Sequence, residues 1–126
     1  MPTVLWVALG GALGSAARHG VNVWSGRMFG MDFPWHTLIV NILGCFAMGI
    51  IIEVMALKLN VGSDVRAFLA TGILGGFTTF SAFSLDFAFL VERKSYGLAG
   101  VYAAGSVILS LAAVFAGLHL VRALAQ

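Results

Sequence analysis

The chain has 126 residues, 60% of them hydrophobic and only 10% charged, with a net charge of +2. Soluble domains carry roughly 25% charged residues, so this chain cannot cover a water-facing surface and falls in the membrane class. The small, scattered positive excess gives no footing for nucleic acid, and the single Cys45, set in an apolar run, reads as a small buried hydrophobe rather than a redox or metal group.

Charges punctuate the chain. Residues 1–17, 33–52, 67–85 and 95–121 contain no Asp, Glu, Lys or Arg. Each run approaches or exceeds the bilayer-spanning length of about 20 residues, roughly 17 at the short end. The reading is an all-α integral membrane protein, a single transmembrane domain over 1–126, with four transmembrane helices at about 3–23, 34–57, 66–92 and 96–124. The first run has no basic residue before it and three more spans behind it, which argues against a signal peptide.

In the first helix, Gly10 and Gly14 form a GxxxG pair, and Gly11 and Ser15 a second small pair, both packing signals. Arg18 lies one turn inside the expected helix end. It either snorkels to headgroups and carbonyls or attracts an anion into a vestibule. Trp24, Phe29, Phe33 and Trp35 gather around the first connection, as interfacial aromatics do. In the second helix, Thr37 and Asn41 are spaced i,i+4 and share a face. An amide at that depth must find partners; it is helix–helix glue or an ion ligand. His19, His36 and His119 share no spacing that would hold a metal.

The third helix contains GILGGFTTFSAFS (residues 72–84), a poor helical sequence of Gly72, Gly75, Gly76, Thr78 and Thr79. It is expected to break mid-membrane near 75–79. Broken helices survive in lipid only where protein or a polar cavity satisfies the freed backbone, and freed carbonyls can ligate a cation. Beyond the break, Phe80 and Phe83 share a face at i,i+3, with Ser81 and Ser84 on the adjoining one. Their ring edges carry partial positive charge and can meet a small anion; otherwise they are packing residues. In the fourth helix, Tyr102, Ser106 and Ser110 make a polar stripe at i, i+4 and i+8, either a path or an interface.

An even number of spans places both termini on one side. That side holds Lys58, Arg66 and Arg122, against Arg18, Arg27, Arg93 and Lys94 opposite. With no clear bias, the chain either inserts one way or adopts dual topology. Four short helices are too few to enclose a polar path, which favours an antiparallel dual-topology homodimer of eight.

The segment GGFTTFSAFS (75–84) closely resembles the GGxTTFSTFS motif of the Fluc (CrcB-type) fluoride channels. GGALGSAAR, PWHTLIVNILG and YAAGSVILS resemble that family's first, second and fourth helices, in the right order. Ala82 stands where the family usually has Thr, and Asp86 where it usually has Glu. The resemblance implies a passive, fluoride-selective channel in the bacterial plasma membrane that exports fluoride and relieves its toxicity. It implies an antiparallel homodimer in lipid with a structural, untransported sodium ion at its centre, bound by the carbonyls of Gly75 and Thr78. The implied fluoride pathway comprises Asn41, Phe80, Phe83, Thr37, Ser81, Tyr102, Ser106 and Ser110, with Arg18 as a vestibule or structural charge and no catalytic residue. The competing readings are a small multidrug-resistance-type proton-coupled exporter, which needs a deep carboxylate, and a non-conducting packing subunit.

Overall fold

The computed structural model describes residues 2–30, 33–57 and 62–125, and among them every regular element is helical. Helix α1 is Thr3–Phe29 and α2 is Trp35–Leu57. Helix α3 has three pieces: a first turn Ser63–Arg66, a π-helical stretch Ala67–Leu74 and a last turn Gly75–Phe77. Helix α4 is Phe80–Glu92 and α5 is Tyr96–Ala125. Among the described residues three stretches are long and apolar enough to cross a bilayer: Trp35–Leu57, Ser63–Glu92 and Tyr96–Ala125. This is an integral membrane protein built of helices. Helix α1 is comparable in length, about 40 Å at 1.5 Å per residue, but carries Ser15, Arg18, His19 and Asn22.

Helix α1 runs on to Phe29, past the expected end near residue 23. No proline interrupts it. It stops where Gly30 takes φ 78°, with the Gly30 N–H on the Gly26 carbonyl at 3.1 Å, a conformation that suits a residue without Cβ. Lys58, counted above among the charges of the terminal side, and residues 59–61 of the expected second loop lie outside the described residues.

Two pairs of parallel helices organise the chain. Helix α1 lies along α3, with the Thr3 hydroxyl donating to Asp64 Oδ1 at 2.6 Å. Gly10 and Gly14 bring the two backbones together: a Cβ on Gly10 would strike the Phe68 carbonyl oxygen, and one on Gly14 the Ile73 carbonyl oxygen. Helix α2 lies along α5 in the same manner, through Gly49 against Val114 and Gly117 against Phe46. At its end, Arg122 Nε donates to the buried Glu53 at 3.0 Å. With little hydrophobic drive between helices in lipid, such close approach through small residues is what holds them.

The break lies at Thr78 and Thr79, both extended (φ −82°, ψ 158° and φ −156°, ψ 126°). Gly72 sits within the π-helical stretch and Gly75 and Gly76 remain helical; these glycines do not form the break. Gly72 and Gly76 serve packing, since a Cβ on either would crowd the α1 backbone at Gly10 or Gly11, 2.9 and 2.7 Å away. Below the break, Leu38, Leu90, Ala99 and Tyr102 form a buried cluster, with Phe33, Ile42 and Phe83 packed against it. A tight turn carries α4 into α5: the Ser95 N–H reaches the Leu90 carbonyl at 2.9 Å, with Lys94 at φ 60°.

Candidate ion path at the helix break

Asn41 reaches from the second turn of α2 to the break. Its Oδ1 accepts from the Thr79 N–H at 2.8 Å, and its Nδ2 donates to the Thr79 carbonyl at 3.0 Å. The side-chain amide thus pairs with one extended peptide as a neighbouring strand would, leaving one Nδ2 hydrogen. Thr79 then caps α4: its Oγ1 accepts from the Ala82 N–H at 3.2 Å, as an N-cap threonine does.

These bonds redirect two donors. In an unbroken helix the Thr79 N–H would reach the Gly75 carbonyl, and the Ala82 N–H the Thr78 carbonyl. Here the first goes to Asn41 and the second to Thr79 Oγ1. The Leu74 carbonyl, by contrast, accepts twice, from the Thr78 N–H and Oγ1, both at 2.9 Å. The carbonyls of Gly75 and Thr78 lose their helical donors, and a pair of such oxygens is the kind of ligand a hard cation takes. Among the described residues no cluster of His, Cys, Asp or Glu offers an alternative metal site.

Two cavities meet at Thr79. One, of about 330 Å³, brings together Asn41, Phe80, Phe83, Ser106 and Ser110. The other, of about 450 Å³, is lined by Thr37, Ser81 and the half-buried Arg18, with His19 and Asn22 beside them. In the first cavity the Phe80 and Phe83 rings stand 5.4 Å apart at 44°. The Ser106 and Ser110 hydroxyls are buried with no conventional hydrogen-bond partner among the described residues, although the Cys45 thiol lies beside Ser110. Buried hydroxyls are rarely left so; these two border a space in which something else can accept from them. Phe80 is 75% exposed on the single chain, so the cavity has no wall on that side.

The rest of the expected path is committed elsewhere. The Thr37 hydroxyl donates to Asp86 Oδ2 at 2.6 Å, the Tyr102 hydroxyl donates to the same oxygen at 3.2 Å, and His36 Nε2 stands 3.8 Å from it. Tyr102 is fully buried and packs its ring on Phe83, 5.1 Å away, and edge-on to Phe33 at 5.5 Å. It supports the aromatic wall and lines neither cavity. Ser81 Oγ shares a hydrogen bond with Thr79 Oγ1 at 3.2 Å. Asp86 gathers three side chains, yet sequence reasoning marked it only as a departure from a motif. Its spacing of i,i+3 from Phe83 was the available signal.

The broken helix thus leaves amide and hydroxyl donors, aromatic rings and backbone carbonyls around two open cavities. The family model described as CrcB-like protein, Camphor Resistance (CrcB), matches residues 5–118, and the chain belongs to that family. It is 52% identical over 122 residues to the fluoride-specific ion channel FluC of Agrobacterium fabrum, covering 97% of this chain and 98% of that one. It is 54% identical over 122 residues to the protein of the same name from Rhodopseudomonas palustris, with the same coverage. With the one from Chelativorans it shares 49% over 121 residues, covering 96% and 97%. These relatives are bacterial and carry a channel's name, not an enzyme's; the chain is a multi-pass protein of the bacterial cell membrane.

Proposed function

We propose that this protein is a passive fluoride channel. The observation that carries the reading is the cavity where Asn41, Ser106 and Ser110 keep unused donors beside the rings of Phe80 and Phe83. A small anion that sheds water needs such replacements, and ring edges supply them without a transferable proton. The relatives' names point to the same ion. Arg18, lining the adjoining cavity with Thr37 and Ser81, would draw the anion toward the path. Tyr102 acts here through Phe83 and Asp86 rather than by direct contact. Hydrogen fluoride enters a cell neutral and ionises inside; with the interior negative, a passive path expels the anion, helped by about 2.3 kcal/mol per charge per 100 mV.

The same reading has α1 crossing the membrane as a fourth span and two copies pairing antiparallel in dual topology. The open side of the cavity at Phe80 supports a second copy. So does the even split of Lys and Arg. A sodium ion fits the break: Gly75 and Thr78 would hold it through their carbonyls, and two copies would double the ligand set. When bound, it would offset the partial charge of the oxygens that the break leaves without helical donors.

The competing exporter is disfavoured because Glu53, a buried carboxylate, is already bound by Arg122 through both oxygens, at 3.0 and 3.4 Å. The test is fluoride release from proteoliposomes loaded with potassium fluoride, started by valinomycin and followed with a fluoride electrode. Fast fluoride release without chloride release is expected. Release that requires a proton gradient would favour the exporter, and release no faster than from empty liposomes would favour a packing subunit.

A further inference from the structure

Asn41 competes with the Gly75 carbonyl for one donor. Were the amide absent, the Thr79 N–H would lose its partner; the acceptor a continuous helix offers it is the Gly75 carbonyl, and closing that bond would restore helix and consume a cation ligand. Asn41 blocks this by taking both polar groups of the Thr79 peptide at once, at 2.8 and 3.0 Å. A second feature of α2 supports the same geometry. Gly44, three residues on, has no side chain, and the Thr78 methyl occupies the space a Cβ would fill. Helix α2 therefore holds both extended residues of the break, one by hydrogen bonds and one by shape. Nothing else bonds the Thr79 backbone N–H among the described residues: the Thr79 side chain is turned to Ala82 and Ser81.

We infer that Asn41 is a positioning residue for the cation site, setting its affinity by keeping the Thr79 peptide extended and the Gly75 and Thr78 carbonyls free. This rests on the sodium reading above and adds a second role to a residue placed on the fluoride path. The two roles separate experimentally. A pure path ligand alters fluoride passage and leaves cation affinity unchanged; a clamp alters cation affinity even when no fluoride is present.

The test uses the full chain purified in detergent, without fluoride. Its melting temperature is followed as sodium replaces N-methyl-D-glucamine at constant ionic strength, since a ligand that binds only the folded state raises the melting temperature. Wild type is expected to show a saturable rise. Asn41→Ala is expected to need at least about tenfold more sodium for the half-maximal rise, as loss of two hydrogen bonds of ordinary strength would give. Ser110 lines the same cavity and its hydroxyl bonds no atom of the break; Ser110→Ala is expected to keep the wild-type midpoint. Should Asn41→Ala fail to fold, wild type labelled with ¹⁵N-asparagine decides. Of the chain's three asparagines, Asn22, Asn41 and Asn60, only the Asn41 side-chain signals are expected to move, with the sodium midpoint of the melting curve. An unshifted midpoint in Asn41→Ala, or Asn41 signals indifferent to saturating sodium, overturns the inference alone. A wild-type melting temperature indifferent to sodium overturns the cation reading and the inference together.

Discussion

The two sides of the helix break are built on opposite plans. Residues 63–77 lie against α1, with Gly10, Gly14, Gly72 and Gly76 where the two backbones come closest. Residues 80–92 carry bulky side chains outward: Phe80, Leu85, Phe87 and Phe89 are all exposed, and Leu90 alone is buried. The first side packs on a helix of its own chain; the second turns its bulk outward. One span can therefore anchor with one half and conduct with the other, because the extended pair Thr78–Thr79 uncouples their packing.

The largest effect should come from breaking the anchored side. Gly14→Leu drives a side chain into the Ile73 carbonyl and to within 2.8 Å of the Phe77 amide nitrogen. Overpacking of this kind costs about 3 kcal/mol or more, so little monodisperse protein should survive size exclusion. Gly11→Leu on the same helix faces open space and should purify normally. If both behave alike, the contact between α1 and α3 is not what holds that half.

Next comes the join between the two sides. Asp86→Ala orphans the hydroxyls of Thr37 and Tyr102, and hydrogen bonds to a charged group are worth about 1.5–3 kcal/mol. Unfolding in detergent should show a loss of about 2 kcal/mol, with Asp86→Asn intermediate. Equal stability of all three would mean that the carboxylate does not tie α4 to α2 and α5.

On the conducting side, Phe80→Ile or Phe83→Ile keeps apolar bulk and removes the ring quadrupole. Fluoride flux should fall at least about tenfold, or ~1.4 kcal/mol of barrier, while the protein elutes as wild type does. Phe89→Ile, on the same helix and exposed, should be mild. Wild-type flux in both cavity variants would reduce the rings to filler.

The smallest effect belongs to Glu53→Gln. Its partner Arg122 is half exposed, so water can take over the guanidinium, and the buried carboxylate is replaced by an amide with no charge to desolvate. Melting and fluoride flux should both stay within the scatter of wild type; a lost channel would show that the α2–α5 end is coupled to the path.

Much of this was legible before any coordinates. Composition alone decides the solvent, and the uncharged runs mark four spans, of which the last three are long and apolar enough among the described residues. The pair Gly10 and Gly14 announces a close contact by its spacing. Other features carry no local mark. The π-helical stretch Ala67–Leu74 has the same composition as an α-helix, so periodicity passes over it. The glycines at 72, 75 and 76 suggest a break because propensity is read one residue at a time; the packing of Gly72 and Gly76 against α1, some sixty residues earlier, outweighs it. Asp86 meets Thr37 across 49 residues of sequence, and such a meeting depends on the register of α4 against α2, which no local pattern encodes. Asn41 was marked as a polar residue needing partners, but that its partner is a single backbone peptide follows only from where the break falls.

The open wall at Phe80 has a genetic consequence. If a second copy completes each cavity, a subunit damaged on this face spoils the cavity it shares as well as its own. In a cell making equal amounts of sound and damaged chains that pair at random, about half the pairs would be mixed. A null allele would then be recessive, whereas a well-folded Phe80 variant would be dominant over the intact gene.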